Sequence, residues 1–170
     1  MTYPLLLESV AELLKKRAQD YFNVALTEVD NQYDDGITLE PLDDSAIYFS
    51  DLLQTVSPPA LYILSGSAAF QYSDDPNYLN LEDEFLLVIT SEDMGADRMQ
   101  RKAWRYQRVL METFNLVDLQ DTNNRLKIRV IPQRLGTSQP IKTKLTEFEQ
   151  KYRMDALLEV KVMHYEKNIS

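Results

Sequence analysis

The sequence predicts an α+β fold, with two amphipathic helices flanking a mainly antiparallel sheet of about four strands. Two stretches with apolar residues at three- and four-residue steps predict the helices. Stretches rich in β-branched, aromatic and leucine residues between turn signals predict the strands. The length of 170 residues fits one domain that spans residues 1–170. Residues 30–57 and 133–152 are predicted as extended loop insertions in that domain.

The first predicted helix covers residues 4–27. Pro4 suits a first helical turn, where its missing N–H removes no hydrogen bond. One apolar face then runs the length of the segment, with charged and amide residues on much of the other side. That apolar face consists of Leu6, Leu7, Val10, Leu13, Leu14, Tyr21, Phe22, Ala25 and Leu26.

The loop at residues 30–57 is rich in acids and in turn-forming residues such as Gly36 and Pro41. Isolated apolar residues within it, Leu39 among them, indicate that the loop packs on the rest of the protein. Its acids are candidate contacts with a channel or a partner: Asp34, Asp35, Asp43 and Asp44.

Residues 60–64, continuing to about residue 72, predict a strand that turns at 74–77 and returns as residues 81–90. The pair is predicted to be an antiparallel hairpin. Because residues 85–89 are apolar without interruption, the returning strand is expected at the centre of the sheet and covered on both faces, by helices or by a neighbouring subunit.

The second helix is predicted over residues 96–114, with one apolar stripe and one basic face. The basic face and the adjacent tryptophan form a candidate subunit interface: Arg98, Arg101, Lys102, Trp104, Arg105 and Arg108. One interpretation is docking onto an acidic surface, and a neighbouring copy in a head-to-tail ring would supply one. The other is a solvated face with internal pairs, such as Arg108 with Glu112.

Two further strands are predicted at residues 126–131 and 154–165, where apolar residues alternate with polar ones. Pro132 is expected to end the first of them. The polar stretch 133–151 between them, with Gly136 and Pro140, is predicted to be an exposed excursion.

Composition narrows the function classes. The net charge of −9 disfavours binding to a nucleic-acid backbone, which takes its affinity from lysine and arginine. The chain contains no cysteine, so disulfides, thiolate metal sites and cysteine nucleophiles are excluded. No apolar run approaches the roughly 20 residues of a membrane span, and residues 1–10 lack the basic start of an export signal, so no membrane partner is expected.

Catalytic patterns are weak. The sole histidine, His164, lies near the end of a predicted strand, where a surface or interface role is the commoner one. Glu159 and Lys161 form an E-x-K pattern that could hold magnesium in a nuclease, with Asp83 or Asp155 as the second carboxylate. Such a spacing is frequent in amphipathic strands, so a small metal-dependent nuclease is the less favoured alternative. We therefore assign no catalytic, cofactor-binding or metal-binding residue and expect no enzyme activity.

The whole layout resembles the bacteriophage tail terminator, or tail completion, family. The resemblance is carried by the opening helix, the strand Pro-Pro-Ala-Leu-Tyr-Ile after a variable loop, and the strand Glu-Phe-Leu-Leu-Val-Ile-Thr. The arginine-rich helix, Leu-Lys-Ile-Arg-Val-Ile-Pro and the closing strand through Leu-Leu-Glu-Val-Lys-Val complete it.

The resemblance implies a structural virion protein in the tail-neck region, assembled in the host cytoplasm as a homohexameric ring. Such a ring caps the tail tube protein, ends tail polymerisation and docks the head-completion or connector protein, with the tape-measure terminus or sheath as further partners. DNA passes through it without specific binding, so we expect the loop acids to face the channel. Another neck, head-completion or adaptor protein is the alternative within this class.

Overall fold

A computed structural model describes residues 6–50, 57–71, 78–122, 126–144 and 150–167. Within these ranges the chain forms two helices and seven strands. In chain order these are α1 (Leu6–Asp30), β1 (Ile47–Tyr48), β2 (Ala60–Gln71), β3 (Tyr78–Asp93), α2 (Ala96–Phe114), β4 (Asp118–Gln120), β5 (Leu126–Thr137), β6 (Ile141–Lys144) and β7 (Gln150–Lys167). The predicted α+β class is confirmed, although the sheet has more strands than the sequence predicts.

The described strands form one sheet in the order β1-β2-β3-β7-β5-β4, with β6 also paired to β7. All pairs are antiparallel except β1 with β2. The predicted hairpin is confirmed, since β2 pairs with β3 in a register that sets Leu61 opposite Ile89. The two longest strands, β3 and β7, lie side by side in the middle of the sheet.

Both helices pack on the same face of the sheet. Arg17 of α1 donates to the carbonyl of Thr113, and Phe22 stacks on Tyr106 with ring centroids 6.5 Å apart. A later residue of α1 thus contacts an earlier residue of α2, so the two helices run antiparallel. The first half of α1 therefore extends past the C-terminal end of α2, towards β4. Each large side chain buried in this layer contributes about 1.5–3 kcal/mol.

Within the described residues, helices cover one face of the central strand, and cover of the other face by a neighbouring subunit stays a prediction. Phe85, Leu87 and Ile89 are buried under the helices. On the opposite face Val88 is buried in a small cluster of sheet residues and Leu86 is half-buried. Because side chains along a strand alternate between the two faces of the sheet, only every second residue of the apolar run packs under the helices.

The prediction of an extended loop at residues 133–152 is wrong for its described part. The strand β5 continues to Thr137, β6 follows, and β7 begins at Gln150. Pro132 does not end β5, because a register shift between Pro132 and Arg134 accommodates the residue that lacks an N–H. Residues 145–149 lie outside the described part of the chain.

The other predicted loop is confirmed over residues 31–46, which contain turns and irregular backbone before β1. We call this segment the acidic loop. Residues 51–56 of the predicted insertion lie outside the described ranges. Neither α1 nor α2, as far as they are described, is long and apolar enough to cross a membrane.

Candidate interaction surface on α2

The acidic loop lies against α2 because its isolated apolar residues enter the core. Leu39 and Leu42 are buried with side chains of both helices. The hydroxyl of Tyr106 on α2 donates to the carbonyl of Glu40 at 2.8 Å. Burial is the main reason that the pKa of Tyr106 is raised above its usual range, so this phenol remains a donor. The loop is thus fixed at its middle.

Lys102 is buried and its charge is satisfied within the chain. Its Nζ lies 2.9 Å from Glu40 Oε1 and 2.9 Å from Asp93 Oδ2. Burial opposes the charged form, but hydrogen bonds to the two carboxylates outweigh it and raise the pKa of Lys102. For Asp93, burial is likewise outweighed by the Gly95 N–H and the Lys102 ammonium, which lower its pKa. This cluster joins α2, the end of β3 and the acidic loop.

Arg105 is the second buried cation of the predicted basic face. Its Nη2 forms an ion pair with Asp35, and its Nη1 donates to the carbonyl of Ile37 at 3.2 Å. The guanidinium also lies 3.8 Å from the ring centroid of Tyr33. The hydrogen bond from Arg105 is the largest cause of the lowered pKa of Asp35. Carboxylate, carbonyl and aromatic ring together make the burial of Arg105 tolerable.

The structure therefore divides the six predicted interface residues. Lys102 and Arg105 point into the protein, whereas the other four lie at the surface: Arg98, Arg101, Trp104 and Arg108. Arg98 Nε lies 3.2 Å from Asp93 Oδ1. Arg108 donates to the hydroxyl of Tyr33 and to Gln32 Oε1, partners in the loop where the sequence suggested Glu112.

Four exposed residues remain together on this side of α2, and we call them the α2 patch: Tyr33, Arg101, Trp104 and Arg108. Arg101 precedes Trp104 by three residues and Arg108 follows it by four, so the three side chains are neighbours on one helical face. Trp104 is 55% exposed. Tryptophan, tyrosine and arginine are the residues most enriched at interaction hot spots.

The α2 patch has the chemistry of a docking surface for acidic protein groups, because arginine pairs with carboxylates through two parallel hydrogen bonds. Tyr33 was not among the residues singled out in the sequence. Its position depends on the loop reaching α2 from 75 residues away, and no local signal marks that contact.

The four candidate channel acids fall into two groups. Asp35 reaches Arg105, and its neighbour Asp34 is exposed. Asp43 and Asp44 are exposed at the other end of the acidic loop, where Gln19 of α1 donates to the Asp44 carbonyl. Asp43 Oδ1 accepts hydrogen bonds from the N–H and hydroxyl of Ser45, which lower its pKa.

The residues of the nuclease alternative are not brought together. Glu159 forms an ion pair with Arg134, and Lys161 forms one with Glu82. Asp83 is fully buried and pairs in register with Val162, on the helix-covered face of the sheet.

The remaining candidates fit no better. The Asp155 carboxylate accepts from the Thr90 hydroxyl at 2.6 Å, and it lies four residues along β7 from Glu159, about 13 Å. Among the described residues no cluster of three histidine, aspartate or glutamate side chains could hold a metal ion. The His164 side chain lies outside the described ones.

Neither a family model nor a curated protein matches the chain. Among solved structures, a chain of the virion of a native gene transfer agent particle is similar, with 10% sequence identity and a TM-score of 0.49. The match covers 94% of this chain and 99% of that chain.

Proposed function

We propose that this chain is a structural virion protein that forms a ring on the end of a phage tail tube. In this role the ring ends tube polymerisation and offers a docking surface to the head-side connector. The observation that carries the proposal is the α2 patch, an exposed tryptophan between two arginines on a chain of net charge −9. Such a patch suits a permanent contact between unlike surfaces.

The arrangement of the elements supports the same role. The sequence layout resembles the tail terminator family, and each element that carries that resemblance is present as a helix or strand of the sheet. The acidic loop is held on α2 by a buried ion-pair cluster, so it offers a rigid surface rather than a substrate pocket. A ring protein that meets other proteins on several sides needs surfaces of this kind.

The test adds purified protein to polymerising tail-tube subunits and measures tube length by electron microscopy. We expect shorter, capped tubes with the wild-type chain. The matched variants are Trp104→Ser, which removes the aromatic of the α2 patch, and Ile141→Ser, which removes an equally exposed apolar residue on β6. Only Trp104→Ser should lose capping.

Native mass spectrometry of the protein alone complements that test, with a closed ring as the expected species. A ring that leaves tube length unchanged would favour the neck, head-completion or adaptor alternative. A monomer that cuts DNA with magnesium would overturn the structural role altogether.

We further propose that the exposed loop acids line the channel through which DNA passes. Asp34, Asp43 and Asp44 are the ones to change, because Asp35 also holds Arg105 and its loss would disturb the fold. Reversing these three to lysine should slow DNA passage through assembled particles, since phosphates would bind the lumen. Unchanged ejection kinetics would count against this orientation of the loop.

A further inference from the structure

A groove on the opposite end of the helical layer complements the α2 patch. It lies between the first half of α1 and the end of β4, with a volume of about 600 Å³. Its charged lining consists of Glu8, Glu12, Lys16 and Asp121, and Leu13 contributes a half-buried apolar surface. Lys16 is also paired with Asp20 at 3.2 Å, so the groove has an acidic balance.

The groove and the α2 patch occupy different places on the molecule. Phe22 of α1 is level with Tyr106 of α2, close to Trp104 along the helix. Glu12 lies ten residues earlier on α1, roughly 15 Å along its axis. Two unlike, non-overlapping surfaces pair between copies either reciprocally across a two-fold axis or head-to-tail, and head-to-tail pairing closes into a ring when the rotation between copies permits.

We propose that the α2 patch of one copy docks into this groove of the next copy, which we call the α1 groove. Trp104 enters the groove against Leu13, while Arg101 and Arg108 meet Glu8 and Glu12. Charge complementarity identifies the occupant, since the chain carries a localised basic patch and a groove of opposite sign that is large enough for an indole ring. This docking mode depends on the ring proposed above, and it specifies the two surfaces through which neighbouring copies touch.

The decisive experiment uses two charge-reversal variants. The first carries Arg101→Glu and Arg108→Glu in the α2 patch, and the second carries Glu8→Lys and Glu12→Lys in the α1 groove. Each alone places like charges across every contact, so its half-assembly concentration should rise at least about tenfold. Circular dichroism and urea midpoints check that both variants fold.

An equimolar mixture of the two variants should assemble again. In an alternating ring, the reversed patch meets the reversed groove and the wild-type patch meets the wild-type groove. Native mass spectrometry with one variant isotopically labelled should show equal numbers of the two chains in the ring. Loss of assembly through misfolding alone would not be rescued in this way.

The variant Trp104→Ala tests the same contact independently of charge. Because the side chain is exposed, the urea midpoint should stay near that of the wild type, while assembly weakens at least about tenfold. Ile141→Ser is the control that should leave both unchanged.

The outcomes separate the two proposals. If the wild-type chain forms no ring at any concentration, the proposed ring function fails and this docking mode fails with it. If the wild type forms a ring but the reversals leave assembly intact, or the mixture does not restore it, the ring stands and this interface is overturned. Reversals that spare the ring yet abolish tube capping would assign the α2 patch to the tube instead.

Discussion

Lys102 and Asp93 form an ion pair at 2.9 Å in which only 4% and 8% of the side chains are exposed. Glu40 of the acidic loop adds a second carboxylate to the same ammonium. A helix, a strand end and a loop therefore meet at one buried positive charge. Removing Lys102 would leave the buried Asp93 carboxylate with only the exposed Arg98 beside it.

Lys102→Met should lower the free energy of unfolding by about 3 kcal/mol, because Asp93 and Glu40 would lose the ammonium between them and only the exposed Arg98 would remain beside Asp93. The measurement is urea unfolding followed by circular dichroism at pH 7. The matched control is Lys16→Met, which breaks an exposed α1 pair with Asp20 and should change stability by less than about 0.5 kcal/mol. Equal effects of the two substitutions would contradict the role given to the buried cluster.

The titration of Asp93 should contribute to the loss of stability at acidic pH. Its folded-state pKa is held below the ordinary value of 3.8, so between the lowered value and 3.8 the unfolded chain binds a proton that the folded chain does not. Its contribution to stability is complete above pH 3.8 and is lost as the pH falls through the lowered value. Asp93→Asn should reduce stability at pH 7 but flatten the acid limb of the profile, measured as urea midpoints from pH 7 to pH 2. Parallel wild-type and variant profiles would disprove this assignment.

The acidic loop is also tied to α1 by Asn23, whose amide donates to the Leu42 carbonyl and accepts from the Leu42 N–H, both at 2.8 Å. Asn23→Ala should lower the free energy of unfolding by about 1–2 kcal/mol, since a donor and an acceptor of the loop backbone lose their partner. Thr27→Ala removes only an exposed hydroxyl bonded within α1 and should be nearly neutral. The free energies of unfolding of both variants are measured by calorimetry or urea titration. If Asn23→Ala is as stable as the wild type, Asn23 does not stabilise the acidic loop.

Gly36 should be the sensitive glycine of the acidic loop. Its φ of +75° lies in the left-handed region, and an added Cβ would meet no atom within 4 Å, so any cost comes from the backbone alone. We expect Gly36→Ala to lower stability by about 1–2 kcal/mol. Gly136→Ala, where the new Cβ would meet Leu157 at an ordinary 3.7 Å, serves as the control and should be close to neutral. Urea unfolding of both variants would show the difference, and equal stabilities would refute it.

The spacing of apolar and polar residues along the sequence was sufficient to predict the helices and the central strands. Because the apolar stripe of α2 and its basic face recur at helical spacing, the helix was predicted with the bounds that the structure has. The β2–β3 hairpin was equally readable from its turn residues. The strand at 133–137 and β6 were missed, because their polar residues are held by pairing to β7 rather than by propensity.

The sequence predicted the candidate interaction surface on α2 only in part. The sequence predicts five basic residues and Trp104 of α2 as one interface, but it does not show which of the six side chains are buried. Arg105 is buried by Asp35 from 70 residues away, and Lys102 is met by Glu40 from 62 residues away. Contacts at such separations leave no trace in local spacing.

The sequence by itself determined the class of fold, the two helices, the central hairpin and the presence of a basic face on an acidic chain. These properties are written in the spacing of neighbouring residues. Only the tertiary structure decided which cations stay at the surface, because a lysine or arginine can be buried only where carboxylates converge on it. The acidic loop supplies Glu40 to Lys102 and Asp35 to Arg105, and the end of β3 adds Asp93 to Lys102. The other members of the predicted face stay at the surface: Arg98, Arg101, Trp104 and Arg108.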